Sequence, residues 1–397
     1  LSGRTNGCRT DTMQYLLPIM AVSSFASALS IRAVDPVLPQ VAADLAVTIQ
    51  VAATLASAFA ITFALVQPAL GIIADTLGKP KLILVCLILL AVSNVAGAFA
   101  TSFDMLLITR VLSGVGAGGV FPITFSLIGD IFPLRERQVA MSRVLAGAMA
   151  GNLLGASLSG VIGDFIGWRG VLITISLLVL AASVAVGWGF RHQMRAPRKR
   201  TNFAELARSY RAIFAHPHAR VCYAAVFLEG TFVLGVFPFV AAFLAELGEP
   251  RLSIAGIVIA GFAVGGLVYT SSVSRLLPRL GENGLMIGGG ILVASQLVIV
   301  AFGPPWQGQL VSFIAMGCGF YMIHGSLQTF SSEISAAARG TAVALHSFCF
   351  FLGQTAGPIV YGYGIAQFGK LPTLLFAAVV MFLLGIVCAR LLRHRHS

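Results

Sequence analysis

An all-α membrane fold of twelve transmembrane helices, arranged as two six-helix bundles related by a pseudo-two-fold axis, is what this sequence predicts. Three observations predict it: a composition too apolar for a water-soluble chain, twelve apolar runs of spanning length, and an internal repeat relating the two halves.

Of 397 residues, 57% are apolar and 10% charged, where soluble domains have roughly 45–50% and about 25%. With a mean hydropathy of +0.92, the chain lacks the polar residues to cover an exterior in water, so that exterior must face lipid. A hydrocarbon core about 30 Å thick takes ~20 residues of helix. Cutting at charges, Pro and Gly gives spans near 14–37, 47–74, 81–101, 104–131, 139–163, 168–190, 219–246, 252–274, 283–303, 308–331, 341–367 and 371–391. Gly and Ser within these runs suit membrane helices, whose backbones approach closely. The six Cys form no close pairs, lie mostly in apolar runs, and read as small hydrophobes rather than metal or redox ligands.

An even number of spans puts both termini on one side. One set of loops and tails holds 21 Lys and Arg; the other holds Arg169, Arg251 and Lys370. The positive-inside rule then makes both termini cytoplasmic, and a bacterial inner membrane is the expected location. The densest basic run, Arg198-Lys199-Arg200, joins spans 6 and 7 on that side. The net charge of +12 is thus read as an orientation signal touching anionic lipid, not as a nucleic-acid surface.

Gly78, Gly114, Gly116 and Asp130 recur 203 residues later as Gly281, Gly317, Gly319 and Glu333. Pro36, Gly155 and Gly160 recur 202 later as Pro238, Gly357 and Gly362. A nearly constant offset across spans 1, 2, 4 and 5 indicates a duplicated six-helix unit. The expected division is a first bundle at 1–190, a cytoplasmic basic linker at 191–218 with a surface helix near 203–214, and a second bundle at 219–397. Parallel repeats place a substrate site at their interface near the midplane, exposed alternately as the halves rock.

After span 2 the chain reads Gly71-Ile-Ile-Ala-Asp75-Thr-Leu-Gly78-Lys79-Pro-Lys81, and span 4 contains Arg110-Val-Leu-Ser-Gly114-Val-Gly116. With Gly151-x-x-x-Gly155-Ala156-Ser-Leu-Ser159-Gly160 in span 5, these resemble the motifs of the major facilitator superfamily, and within it the twelve-helix drug/proton antiporter branch. The resemblance implies that fold and a proton-coupled exporter of small hydrophobic or amphipathic compounds. Thr76 and Pro80 depart from the loop signature, and Ala156 and Ser159 stand where the antiporter motif has Pro and Gly, which weakens export relative to import. A proton-coupled uptake symporter or a facilitator is the alternative.

Glu229 is the leading proton-coupling candidate. It lies mid-span with no basic residue within a turn, and an ionisable group inside a bilayer usually faces a cavity. Arg110 is expected at the cavity or against Asp35. Arg32 and Asp35, at i and i+3, can equally neutralise each other. A latch is expected between Asp75 and Arg339 at the start of span 11, with Gly71, Gly78, Lys79 and Lys81 completing the loop and Asp130 in a gate or surface salt bridge. Gly147, Gly151 and Gly155 share one helix face and, with Gly160, Gly357 and Pro358, are expected to pack helices. Phe232, Phe237 and Tyr321 are candidate cavity-lining residues, with lipid-facing packing the alternative; His324 and His346 either line the cavity or hydrogen-bond between packed helices.

Among metal-protease, hydrolase and intramembrane-protease signatures, H-E-x-x-H, G-x-S-x-G and G-x-G-D are absent, so an enzyme is not expected. Gly114-Val-Gly116-Ala-Gly118-Gly119 matches a dinucleotide fingerprint only in letters, since it sits in an apolar helix rather than after a strand. No cofactor or metal is expected. The expected partners are a small-molecule substrate, protons and lipid, with the chain acting as a monomer.

Overall fold

The structure, a computed structural model, describes residues 3–191, 211, 213, 215–334 and 339–392. Among the described residues the regular structure is helical throughout. Among the described residues, nine helices are long and apolar enough to cross a membrane. Two of them hold two spans each, because Leu134–Gly189 breaks at Gly167 (φ 74°, ψ 175°) and Leu252–Ala301 at Gly281 (φ 64°, ψ 174°). That region of backbone space is essentially restricted to glycine, so each Gly lets one span end and the next begin. The apolar helix Tyr15–Leu29 supplies the remaining span, for twelve in all.

Span 1 runs Gly3–Leu29, breaks, makes a 3₁₀ turn at Asp35–Val37 and resumes as Leu38–Asp44. Span 7 does the same with Pro217–Phe232, a 3₁₀ turn at Leu234–Phe239 and Val240–Glu246. Apolar length alone predicts an unbroken helix in both places. Pro36 and Pro238 lie in the two turns, where the missing N–H interrupts helical bonding. Span 2 is Ile49–Leu77, its N-terminus capped by the Thr48 hydroxyl, which accepts from the Val51 N–H. Spans 3 and 4 are Lys79–Ala98 and Phe103–Ile131. Spans 10, 11 and 12 are Trp306–Glu333, Arg339–Phe368 and Lys370–Leu391.

The repeat extends to the packing. Gly151 and Gly155 lie against the Phe25 and Leu29 carbonyls, while their counterparts Gly353 and Gly357 lie against those of Phe227 and Thr231. Gly114 and Gly317 meet the carbonyls of Phe59 and Phe262, and Gly116 and Gly319 those of Cys86 and Gly289. Every pair of partners differs by 202 or 203 residues. Ion pairs repeat as well: Asp44 with Arg169 at the start of span 6, and Glu246 with Lys370 at the start of span 12. The Lys79–Asp130 pair does not recur, because the matching positions hold Glu282 and Glu333.

The bundles meet through span 2 against span 11 and span 5 against span 8. Gly160 and Gly163 rest on Leu252, Gly256 on Ala156, and Gly362 on Gln50. The Asp164 carboxylate accepts from the Leu252 and Ser253 N–H groups, at 2.8 and 2.9 Å, and so caps a span of the other bundle. These contacts seal the end of the molecule where spans 2 and 8 begin. The basic segment Arg198-Lys199-Arg200 lies outside the described residues, as does most of the expected surface helix.

Candidate functional site

A cavity of about 150 Å³ lies between the bundles. Span 1 contributes Arg32, span 5 Met149 and Asn152, the span 7 turn Leu234 and Phe237, and span 8 Phe262. Spans 10 and 11 add Phe320, Tyr321, Phe350, Phe351 and Gln354. Asn152 and Gln354 are repeat partners at offset 202, so each bundle offers one amide.

The break after Leu29 brings Arg32 to the wall. Its Nη1 lies 3.3 Å from Asp35 Oδ2, and its Nη2 donates to Gln354 Oε1 at 2.7 Å, bridging the two bundles. The guanidinium lies 4.8 Å from the Phe237 ring centre. Of the two expected pairings, the structure makes Arg32–Asp35. Asp35 itself is buried and stands behind the wall. Arg110, expected at the cavity or against Asp35, is buried over the Phe59 ring at 4.5 Å, with Nε and Nη1 lacking hydrogen-bond partners. It interacts with Asp35 only through longer-range electrostatics. Span 4 turns it there because Gly114, one helical turn on, draws the helix against Phe59.

Glu229 is fully buried, and its Oε2 lies 3.0 Å from His324 Nδ1 of span 10. Its Oε1 has no hydrogen-bond partner. The His324 ring stacks on Phe320 at 4.8 Å and stands 4.9 Å from His346, both of whose ring nitrogens lack partners. Of the two placements expected for His324 and His346, the structure makes the one between packed helices: they form a second layer with Glu229 behind Phe320 and Phe350 rather than lining the cavity. Phe232 also departs from expectation: it packs edge-on against Phe376 of span 12, away from the cavity. Phe237 and Tyr321 do line it, and Pro358 borders a smaller void beside Arg32 and Phe59.

At the other end of the spans, Lys79 pairs with Asp130 and Lys81 is exposed. Arg137 donates to the Gly129 and Phe132 carbonyls rather than to Asp130. The surroundings of Gly71 and the side chains of Asp75 and Arg339 lie outside the described residues, as does the expected latch. Gly147, Gly151 and Gly155 abut Ala21, Phe25 and Leu29 of span 1.

Sequence reasoning misses Asn152, Gln354 and Asp164. Comparing polar residues at the repeat offset would find the first two. Asp164 carries no such signal, since its counterpart is Ala366.

Two duplicated bundles enclosing a central cavity and sealed at one end have the architecture of a membrane transporter. The sequence matches the Major Facilitator Superfamily over residues 20–358, and the chain belongs to that family. It is 23% identical over 351 residues to Multidrug resistance protein 1 of Bacillus subtilis (strain 168), covering 87% of this chain and 88% of that protein. It is 26% identical over 351 residues to Quinolone resistance protein NorA of Staphylococcus aureus (strain MSSA476), covering 84% and 86%. The fold is similar to that of the nucleoside transporter NupG (TM-score 0.76, 14% identity, 97% and 100% covered). It is equally similar to that of a D-xylose-proton symporter (TM-score 0.75, 14% identity, 95% and 96% covered).

Proposed function

We propose that this chain is a proton-coupled exporter of small hydrophobic or amphipathic compounds, in which Glu229 carries the coupling proton and the bundles rock about the Arg32–Gln354 cavity. The observation that carries this reading is Glu229 itself, fully buried one layer behind the cavity wall with an imidazole as its hydrogen-bond partner. A carboxyl so placed changes its proton affinity when rocking admits or expels water. Phe320, stacked on His324, connects the cavity's contents to that layer by direct packing. The multidrug and quinolone resistance relatives favour export. By the distribution of Lys and Arg, the sealed end faces away from the cytoplasm, and substrate reaches the cavity from the cytoplasmic side.

Uptake by proton symport is the second reading. It is favoured by Ala156 and Ser159 in the span 5 motif. Proteoliposomes with an imposed pH gradient test both, using a fluorescent quinolone as probe. Export predicts quinolone movement opposite to the protons, abolished in Glu229→Gln while exchange without a gradient persists. Gradient-driven flux that survives Glu229→Gln removes the proton from this residue, and movement of probe and protons in the same direction replaces export by symport.

A further inference from the structure

We propose that the cavity selects substrates that carry an anionic group on an aromatic or aliphatic body, with the Arg32 guanidinium as the seat of the anion. This names the substrate class of the exporter proposed above and rests on that reading. Arg32 is the one charged side chain among the described residues lining the cavity. Its natural counter-charge, Asp35, is buried behind the wall and is contacted through Nη1 alone. With Arg110 also buried nearby, two guanidiniums share one carboxylate, so this side of the cavity holds an excess positive charge. Glu229 supplies no compensating face, because Phe320 stands between it and the cavity. A cationic ligand would meet Arg32 with no acid to receive it, and like charges in a dry site are strongly disfavoured.

An anion is received by chemistry already in place. The Nη2 edge of Arg32 is held by the neutral Gln354 oxygen at 2.7 Å, and a carboxylate makes a stronger charge-assisted, bidentate contact with the same group. Asn152 adds a second amide to the cavity lining. Leu234, the repeat counterpart of Arg32 at offset 202, lines the same cavity with Phe262, Tyr321 and Phe237, whose ring centre lies 4.8 Å from the guanidinium. A cationic group set among aromatic and aliphatic side chains suits an amphipathic anion. Displacing Gln354 also breaks a hydrogen bond that joins the bundles, so occupancy loosens the contact that rocking must open.

The test is calorimetric titration of the full chain in lipid nanodiscs with three probes of one shape: naphthalene-2-carboxylate, naphthalene-2-carboxamide and 2-naphthylmethylammonium. The carboxylate is expected to bind roughly 10-fold tighter than the carboxamide, and the ammonium weakest. Arg32→Gln should erase the carboxylate advantage while carboxamide binding remains, and Arg32→Lys should keep part of it. The proposal is overturned by carboxamide or ammonium binding as tightly as carboxylate, by no carboxylate binding at about 1 mM, or by a folded Arg32→Gln chain that keeps the full preference. Should Arg32→Gln not fold, the ranking on the unaltered chain decides. Binding needs no gradient, so an anion preference without proton-driven export would remove the proposed function and leave this inference standing.

Discussion

At Ala46 the backbone takes φ 52°, a left-handed value, and the repeat counterpart is Gly248 at φ 84°. A Cβ in that region costs roughly 1–2 kcal/mol, partly offset because glycine has more freedom to lose on folding. Ala46→Gly is therefore expected to stabilise the protein by about 0.5–1 kcal/mol. A thermal unfolding midpoint in detergent that falls would contradict this. Two residues earlier, at the exposed end of its helix, Asp44 accepts from Arg169 and from Trp168 Nε1, and the Arg169 hydrogen bond holds its carboxyl below the usual range. A lowered folded-state pKa gives stability that is present above the unfolded value and lost as pH falls through the folded one. The native chain and Asp44→Asn should thus differ in unfolding midpoint at pH 7 and begin to converge only below about pH 4, the gap closing as pH falls through the lowered folded-state value; a gap that persists in stronger acid would assign the contact to packing instead.

Helices in this protein are positioned by glycine against carbonyl. Gly114 and Gly317 face the Phe59 and Phe262 carbonyls with no room for a Cβ, whereas a methyl group at Gly129, on the same helix as Gly114, would meet nothing within 4 Å. Alanine at Gly114 or Gly317 should cost about 1–3 kcal/mol by overpacking, and at Gly129 should be neutral or stabilising through helix propensity. Equal losses at all three, in detergent unfolding, would show that backbone freedom rather than close approach governs these sites. Sequence reasoning finds these glycines from their spacing and shared offset. It cannot say which carbonyl each meets, because that depends on the rotation of the neighbouring span.

On the scale of the whole molecule, one end is shut by spans 2 and 11 and by spans 5 and 8. A Cβ at Gly362 would lie 3.4 Å from Gln50 Cβ, close to the spacing of a disulfide. The pair Gln50→Cys and Gly362→Cys should cross-link under oxidant, stop turnover while leaving probe binding intact, and recover with reductant. Continued transport by the cross-linked chain would mean that this end need not open, and rocking would have to be abandoned. Asp164, which ties span 8 to the first bundle, belongs to the same closure. It is not legible in the sequence because its partners are backbone N–H groups 88 and 89 residues away.

Twelve spans, their duplication and the family signature follow from local properties: apolar length, glycine and proline spacing, and loop charge. Which charged groups reach the cavity does not. A span that is apolar on all sides has no polar stripe to declare its inward face, so Arg32, Asp35, Arg110 and Glu229 look alike in sequence. The break between Leu29 and Asp35 turns Arg32 inward, close packing at Gly114 holds Arg110 behind Phe59, and the approach of span 10 sets His324 on Glu229. Those choices are made by neighbouring helices, and only the assembled bundles decide them.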